Sequence, residues 1–550
     1  MNLFSDTFLL FLLISVVIFY LTPPQFRWIP LLLVSYIFYC SSGSKFLPYL
    51  LLTTLTTFSG GILMEQISES SKVRRKLIAT ITKQASNSPE ELQQAANAER
   101  DRIKRTAKLQ QRIVFLTVLL LNFGILAFLK YFNFASDLLC KFTTLLPGSQ
   151  ATEPLHLDLL VPLGISFYTF QAMGYLIDIY GEKYPAERHL GRFALFISFF
   201  PQVIQGPIGR YDQLGTQLDK LNIKPTLQIF EDAVLLMLWG YFKKMVIANR
   251  LAPMVSGIFS APDSFGGAFV ALGIIGYAFQ LYTDFSGGID IVSGAAELFG
   301  IHLAPNFRRP YFSTSLAEFW RRWHISLGSW MRDYIFYPFA LSKVMNKISK
   351  ALKKRSLTLS RLLPVICGNI LVFFVVGIWH GPELRYVAWG LYNGVVIAIS
   401  EILEPVYAHF RIRHQRLVGS RVFGCFQVLR TFFVVCVGFF FDCGKGVIHS
   451  LHLIKLTLTD FHISVVTTQS LQKLIGADTN LLVFCIALGI SILILCAVSS
   501  IQERGCAMRT WLFNRPLPLR WALLIAFIFL FTTFAVTGNN ALEGFMYAIF

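Results

Sequence analysis

The feature that most constrains this chain is a succession of apolar segments, each about as long as a bilayer is thick. A helix crosses the hydrocarbon core with about 20 mostly apolar residues. Full-length segments of this kind lie at 7–22, 46–64, 113–131, 159–180, 266–283, 363–379, 385–402, 422–441, 482–499 and 519–537. Shorter or interrupted segments lie at 28–41, 190–206, 233–251 and 287–300.

Composition agrees with a lipid environment. Only 15% of the 550 residues are charged and 54% are hydrophobic, whereas soluble domains carry about 25% charged residues. The chain is therefore predicted to be an all-α polytopic membrane protein with about 11 transmembrane helices. The first apolar segment has no basic region before it and no small-residue cleavage site, so we expect it to be retained as a span.

The basic residues are concentrated between apolar segments, which indicates membrane orientation. The stretch 65–112 holds eleven Lys and Arg, and 343–361 holds seven with no acid. By the positive-inside rule these stretches, together with 411–421 and 502–520, are cytoplasmic. Alternation then places both termini and the stretch 442–480 outside. The net charge of +18 is explained in this way, and no binding to nucleic acid is expected.

The region 190–310 is predicted to contain broken or re-entrant helices that line a cavity. Lys243 and Lys244 interrupt one apolar segment, and Gly287, Gly288 and Gly294 crowd another. Non-helical backbone at membrane depth persists only where protein or water surrounds it. No internal repeat is apparent, which argues against a secondary transporter.

The densest polar cluster lies between Asn306 and Tyr334. Ionisable groups at membrane depth are costly and commonly functional. An interfacial helix with belt tryptophans and snorkelling arginines explains the composition about equally well, but the charges around the histidine favour an anion-binding or ion-paired site. The candidate residues are Asn306, Trp320, Arg321, Arg322, Trp323, His324, Arg332 and Asp333.

A second histidine, His380, ends the apolar run 363–379 in the sequence GIWHGP, directly after Trp379. A lone histidine at the end of a span is more commonly a structural residue of the interface. The predicted topology makes a functional role for His380 more plausible. The cytoplasmic stretch 343–361 separates the two histidines, and the helix that follows it carries the chain outward to His380. If that helix lines a cavity, His324 and His380 face the cavity from different depths.

Two such histidines suit the transfer of an acyl group from a cytoplasmic thioester to an external hydroxyl. Imidazole, with an ordinary pKa of about 6.5, is a natural general base for the hydroxyl proton. The developing oxyanion needs fixed donors such as Arg, Trp or backbone N–H groups. Asp284 and Asp290 could share a helix face, but a metal would need more ligands, so we expect them to cap helices or pair with the arginine cluster. No metal site is predicted.

At these residues the chain resembles the membrane-bound O-acyltransferase (MBOAT) family, in particular its bacterial alginate O-acetylation and teichoic acid D-alanylation branch. The resemblance rests on TDFSGGIDIVSGAAELFG, PNFRRPYF, EFWRRWHISL and WMRDYIFYP within 282–338, and on GIWHG at 377–381. VPLGISFYTFQAMGYLIDIY and FFPQVIQGPI extend the match upstream. Two features depart from the branch. Pro382 and Glu383 follow WHG; and the basic arm 65–112 is longer than expected, with residues 442–480 extra.

The resemblance implies a single membrane-embedded domain over 1–550, with re-entrant segments around a central tunnel. Its parts would be a basic arm at 65–112, a core at 159–400 and C-terminal helices at 401–550. His380 corresponds to the invariant family histidine and His324 to a second, less universal one. The other candidate residues, Asp284 among them, would line the tunnel or bind substrate.

The function implied is transfer of an acyl group, most commonly acetyl, to an extracytoplasmic polysaccharide such as alginate, at the cell inner membrane. The donor would be acetyl-CoA or an acyl carrier protein on the cytoplasmic side, with no tightly bound cofactor. The acceptor would be the polymer itself or a periplasmic or extracellular acyltransferase partner. D-alanyl transfer to teichoic acid and, in a different class, transport of a polysaccharide or small molecule remain alternatives.

Overall fold

The computed structural model describes residues 3–84, 90–144, 153–476 and 479–536. Within these residues the chain is helical, and the only β contact is an isolated antiparallel bridge between Phe307 and Trp323. The described residues form two compact units, one of residues 5–225 and 299–302, the other of residues 3–4, 226–298 and 303–536. The predictions for 85–89, 145–152, 477–478 and 537–550 lie outside the described residues.

The first unit is built from two long helices and several short ones. Its helices are α1 Asp6–Leu21, α2 Trp28–Ser41, α3 Leu47–Gln84, α4 Glu90–Thr144, α5 Ile165–Tyr180, α6 Leu190–Ser198, α7 Phe200–Val203 and α8 Thr216–Leu218. A π-helical turn, Tyr211–Gly215, precedes α8. Helices α3, α4 and α5 pack against one another.

The predicted basic arm is continuous with the apolar segments beside it. Helix α3 runs from the apolar segment 46–64 through the charged residues to Gln84, and α4 returns from Glu90 into the next apolar segment. The loop after α5 is bound to the arm, since Glu182 accepts hydrogen bonds from Ser68 and Lys72, both at 2.8 Å. The arm is therefore an extension of two membrane helices.

The predicted interruption in 190–206 is confirmed by the break between α6 and α7. Gly164, at φ 75°, lies against this break, and a Cβ there would fall 2.3 Å from the carbonyl oxygen of Val203. Only glycine allows this approach with this backbone. Buried amides satisfy the interrupted backbone: Gln171 donates to the Phe196 carbonyl at 2.5 Å and accepts from Gln202 at 2.5 Å.

The second unit holds the remaining helices. They are α9 Leu227–Tyr241, α10 Asn249–Ser260, α11 Pro262–Phe265, α12 Gly267–Glu297, α13 Leu316–Arg322, α14 Ile325–Met331, α15 Tyr337–Ala340, α16 Lys343–Lys353, α17 Leu357–His380, α18 Leu384–Ile402, α19 Glu404–Arg413, α20 Gln415–Val418, α21 Arg421–Cys443, α22 Val447–Thr459, α23 Thr468–Ile475, α24 Leu481–Glu503, α25 Met508–Phe513 and α26 Leu517–Phe534. Its π-helical turns are Phe242–Ala248 and Arg332–Phe336.

Helix α12 corrects one prediction. The glycines at 287, 288 and 294 were expected to break the chain, yet 266–283 and 287–300 join in one helix of 31 residues. Neighbouring backbone passes close to these positions: a Cβ on Gly287 would lie 2.8 Å from the Gly240 oxygen, and one on Gly294 2.6 Å from the Ala233 oxygen. The glycines therefore permit close helix contact, as small residues commonly do in membranes.

The π-helical turn Phe242–Ala248 directs two buried lysines onto α12. Lys243 pairs with Asp290 at 2.7 Å and donates to Ser286 at 2.9 Å, while Lys244 pairs with Asp284 where both side chains are fully buried. The expectation that these aspartates pair with the arginine cluster is therefore wrong. Buried charges need such partners because an isolated ion in the interior is far more costly.

In the part of the chain that the structure describes, seven helices are long and apolar enough to span a membrane, and eight if the bent pair α18–α19 counts as one span. The chain is thus a multi-pass membrane protein. The predicted count of about 11 is not confirmed. Helices α1 and α22 are apolar but have only 16 and 13 residues, and the predicted segments 28–41, 159–180 and 190–206 form helices too short to span alone.

Candidate active site

His324 and His380 line the same cavity, which lies between α13, α14 and α17 in the second unit. The cavity has a volume of about 50 Å³, and a water needs roughly 10–15 Å³, so a few waters or a small polar group fit. Its lining residues are Trp320, Trp323, His324, Leu327, Gly328, Met331, Val372, Phe373, Val376 and His380. The cavity is therefore mostly apolar, with two imidazoles as its titratable groups.

The backbone of His324 is held in an uncommon conformation. Its φ of 45° and ψ of 53° lie in the left-handed region, between the end of α13 and the start of α14. Such a conformation costs a non-glycine residue roughly 1–3 kcal/mol and persists only where the surroundings impose it. The paired segment beside it does so: Arg308 N–H donates to the Arg322 carbonyl at 2.9 Å, and Ile325 N–H to the Asn306 carbonyl at 3.0 Å.

Asn306 determines which nitrogen of His324 carries the proton. Its Oδ1 accepts from the backbone N–H of Ser326 at 3.1 Å and from the Ser326 hydroxyl at 2.8 Å. Because a backbone N–H can only donate, the Asn306 atom that faces it must be the oxygen. His324 Nδ1 lies 3.2 Å from the same oxygen and must also donate, so the lone pair of the neutral ring is on Nε2.

His380 ends α17 and lies among aromatic rings. Its imidazole is 4.8 Å from the Trp389 ring, edge to face, and 6.2 Å from the Tyr386 ring, stacked. The side chain is buried, with 8% of the residue exposed. Trp379 contacts both histidines, with ring centroids 5.1 Å from His380 and 6.0 Å from His324. Both imidazoles are thus in contact with one indole.

Close contact between α17 and α18 fixes the His380 end of the cavity. A Cβ on Gly390 would lie 2.2 Å from the Phe373 carbonyl oxygen, and one on Gly377 2.5 Å from that of Tyr386. The two backbones therefore touch at glycine. This contact sets the distance between His380 and the aromatic residues of α18.

Two predicted tryptophans, Trp320 and Trp323, also line the cavity. Trp320 Nε1–H donates to Asn393 Oδ1 at 3.1 Å, so its indole is oriented by α18. Trp323 stacks on Phe319 with centroids 5.4 Å apart. Asn306 is buried and lies beside His324, while Asp284 pairs with Lys244 in the α12 network.

The predicted cations do not line the cavity. Arg321 is exposed, Arg322 pairs with Glu318 at 2.6 Å and with Glu503 at 2.9 Å, and Arg332 pairs with Asp333 at 2.9 Å. Burial alone would raise the pKa of Glu318, but hydrogen bonds from Thr314 and the ion pair with Arg322 outweigh it and hold that pKa below its usual value. Arg322 and Arg332 thus form ion pairs outside the cavity lining.

Several site residues escaped the sequence-based prediction. Ser326, Tyr386 and Trp389 organise the two histidines, yet no motif spacing distinguishes them from packing residues. The partners of Asp284 and Asp290 left a clearer signal, since Lys243 and Lys244 interrupt an apolar segment and intramembrane charges occur in pairs. Among the described residues, no group of three or more His, Cys, Asp and Glu could hold a metal ion.

The described helices form a multi-pass membrane scaffold that holds two buried histidines at one cavity. Residues 187–441 match the model of the MBOAT, membrane-bound O-acyltransferase family. Both histidines lie within the matched residues.

Curated relatives carry the same resemblance. The chain is 33% identical over 400 residues to the probable alginate O-acetylase AlgI of Pseudomonas syringae pv. tomato, covering 72% of this chain and 65% of the relative. It is 29% identical to the peptidoglycan O-acetyltransferase of Helicobacter pylori, covering 56% and 59%, and 28% identical to the teichoic acid D-alanyltransferase of Bacillus subtilis, covering 56% and 75%. The match spans about half to two thirds of the length of the alginate O-acetylases.

Proposed function

We propose that this protein transfers an acyl group, most commonly acetyl, to a hydroxyl of an extracytoplasmic polysaccharide. The observation that carries the proposal is the placement of His324 and His380 at one small, mostly apolar cavity. A cavity of this kind excludes bulk water, which would otherwise hydrolyse the acyl donor. The names of the relatives point to the same chemistry, since those quoted above are acetyl or D-alanyl transferases.

In the proposed reaction His380 is the general base. As the acceptor oxygen attacks the carbonyl carbon of a thioester, its proton passes to the His380 imidazole. The new C–O bond forms, the C–S bond breaks, and the departing sulfur takes the proton from the imidazolium. The aromatic cage of Trp379, Tyr386 and Trp389 keeps the ring oriented and leaves it little room to turn away.

His324 has a different proposed task. Its Nε2 is an acceptor in the neutral ring, because Asn306 holds the proton on Nδ1. An acceptor nitrogen beside the cavity can bind a hydroxyl, a thiol or a bridging water, and so align one reactant with His380. Arg322 and Arg332 are engaged in ion pairs away from the lining. We therefore assign the positioning of a reactant to His324 and the polarising role to N–H donors at the cavity, in place of the guanidinium groups that the sequence suggested.

We further propose an acyl thioester donor on the cytoplasmic side and an inner-membrane location. The support is the distribution of charge: the stretches 65–112 and 343–361 are strongly basic, as cytoplasmic segments commonly are. The acceptor would then approach from the opposite face, either as the polymer or through a separate acyltransferase.

Replacing His380 with Ala should abolish the transfer. Loss of a general base commonly lowers a rate by about 100- to 10,000-fold, so surface ester should fall to the background at unchanged protein abundance. His462→Ala is the matched control, because its side chain is 68% exposed and lies far along the chain in the stretch 442–480. Normal ester in the His380→Ala strain would remove the assignment.

A second candidate is D-alanyl transfer to teichoic acid from a carrier protein. It is favoured by the teichoic acid D-alanyltransferase of Bacillus subtilis, because the match covers 75% of that relative and 65% of the Pseudomonas syringae one. Both reactions use the same two histidines and differ in the acyl group. Mild alkaline hydrolysis of the cell envelope, which cleaves esters and leaves amides intact, followed by assay for acetate and for D-alanine in strains with and without the protein, separates the two.

A further inference from the structure

The amphipathic helix α16 carries a concentrated positive charge. Seven cations and no acid lie in 343–361, and the α16 lysines are exposed. None of these cations forms an ion pair with another described residue of the chain. Nothing in the proposed acyl transfer uses them, because the cavity of His324 and His380 has no residue from α16.

The α16 cations form a stripe on one side of the helix. Lys343, Lys347, Lys350 and Lys354 follow at intervals of four, three and four residues, which places them on one face. Exposed apolar side chains lie on a different face: Val344 is 69% exposed and Ile348 is 40% exposed, with Leu341 just before the helix at 69%. The helix thus presents a cationic face and an apolar face to its surroundings.

A third side of α16 is attached to the protein. Met345 is buried, and α16 packs against α17, which begins at Leu357, only a few residues after α16 ends. Ser342 caps the helix by accepting from Met345 N–H at 3.2 Å. Because α17 is a membrane span, the cationic stripe must lie close to the membrane surface.

We propose that α16 is an interfacial helix that binds anionic phospholipid headgroups through its lysine stripe. Charge complementarity carries the proposal: unpaired cations at a membrane surface attract anionic lipid. The adjacent apolar face favours lipid over a soluble acidic protein, since Val344 and Ile348 can enter the headgroup and acyl boundary as apolar residues of interfacial helices do. This binding is independent of the acyl transfer.

The test uses the full chain in nanodiscs of phosphatidylcholine alone or with phosphatidylglycerol, and measures amide hydrogen exchange of 341–355. Phosphatidylglycerol should slow this exchange about tenfold, and half-molar salt should reverse the effect because it screens charge. The triple variant Lys347→Gln, Lys350→Gln, Lys354→Gln should lose the lipid dependence. Unchanged exchange of α17 in that variant shows that it remains folded.

The matched control is Lys76→Gln, Lys83→Gln, Lys104→Gln, which removes the same charge from exposed positions of α3 and α4. This control should retain the lipid effect on 341–355. Equal exchange of 341–355 in the two lipids would overturn the proposal. A loss of the lipid dependence in the control as large as that in the triple variant would also overturn it. Protection by soluble polyglutamate in phosphatidylcholine, with none from phosphatidylglycerol, would show that the stripe binds an acidic protein instead.

Discussion

At the scale of single residues, the hydrogen bonds around Asn306 matter most for chemistry. One carboxamide oxygen accepts from Ser326 twice and from His324 once. In many catalytic histidines a fixed acceptor on one ring nitrogen sets the tautomer of the other, and the Asn306 oxygen is such an acceptor for His324 Nδ1. A histidine so held is useful only while its ring is neutral, which makes its protonation state testable.

Asn306→Asp should shift the pH dependence of the transfer. A carboxylate at 306 still accepts from His324 Nδ1–H but stabilises the imidazolium, so the charged ring persists to higher pH. Since the reaction needs the neutral ring, the acid limb of the rate profile should move to higher pH by about one unit or more. The measurement is ester formation against pH in proteoliposomes.

Asn306→Ala serves as the comparison for that experiment. It leaves the buried donors of Ser326 and His324 without their acceptor, which costs about 1–3 kcal/mol, and should lower the rate without moving the acid limb. A profile for Asn306→Asp that coincides with that of the unaltered protein would contradict the tautomer assignment.

At the scale of helices, the pairs Lys244–Asp284, which is fully buried, and Lys243–Asp290, which is partly buried, connect the π-helical turn Phe242–Ala248 with α12. Removing one partner of a buried pair leaves an uncompensated charge, at a cost of about 3–5 kcal/mol. Lys244→Met alone should therefore lower the unfolding temperature in detergent markedly. Adding Asp284→Leu should restore much of the loss, because the charge that Lys244→Met leaves without its lysine is then removed as well. A double variant less stable than both single variants would rule out this account.

The contact between α17 and α18 offers a second prediction at this scale. Gly390→Ala would place a methyl group 2.2 Å from the Phe373 carbonyl oxygen, so the helices must separate and carry Trp389 away from His380. We expect lower thermal stability and lower ester formation. Gly424→Ala on α21 is the control, because no atom lies within 4 Å of a Cβ there. Equal effects of the two substitutions would mean that close contact is not the cause.

At the scale of the whole molecule, the charge distribution predicts which segments share a side of the membrane. In a cysteine-free background, a cysteine at Lys347 should react with an impermeant maleimide only from the cytoplasmic side. A cysteine at Lys455, within the stretch 442–480, should react only from outside. Labelling of both from the same side would overturn the orientation derived from the basic stretches.

Much of this architecture could be predicted from sequence because lipid imposes simple rules on length and charge. The apolar segments marked most helices, and the motifs around His324 and His380 pointed to one cavity. The arginines were harder: Arg322 lies beside His324 in sequence, but its side chain pairs with Glu503, a residue whose position depends on tertiary structure. The expected break at the glycines of α12 was wrong for the same reason. Glycines that permit close helix contact and glycines that break a helix look alike in sequence, and only tertiary structure distinguishes them.

The position of Trp379 gives the site a reporter of its own. Its indole touches both imidazoles, and imidazolium quenches indole fluorescence by accepting an electron from the excited state, whereas neutral imidazole quenches it far less. The emission that disappears in Trp379→Phe therefore records the ionisation of the two histidines. The fluorescence of Trp379 can thus report the protonation of both His324 and His380.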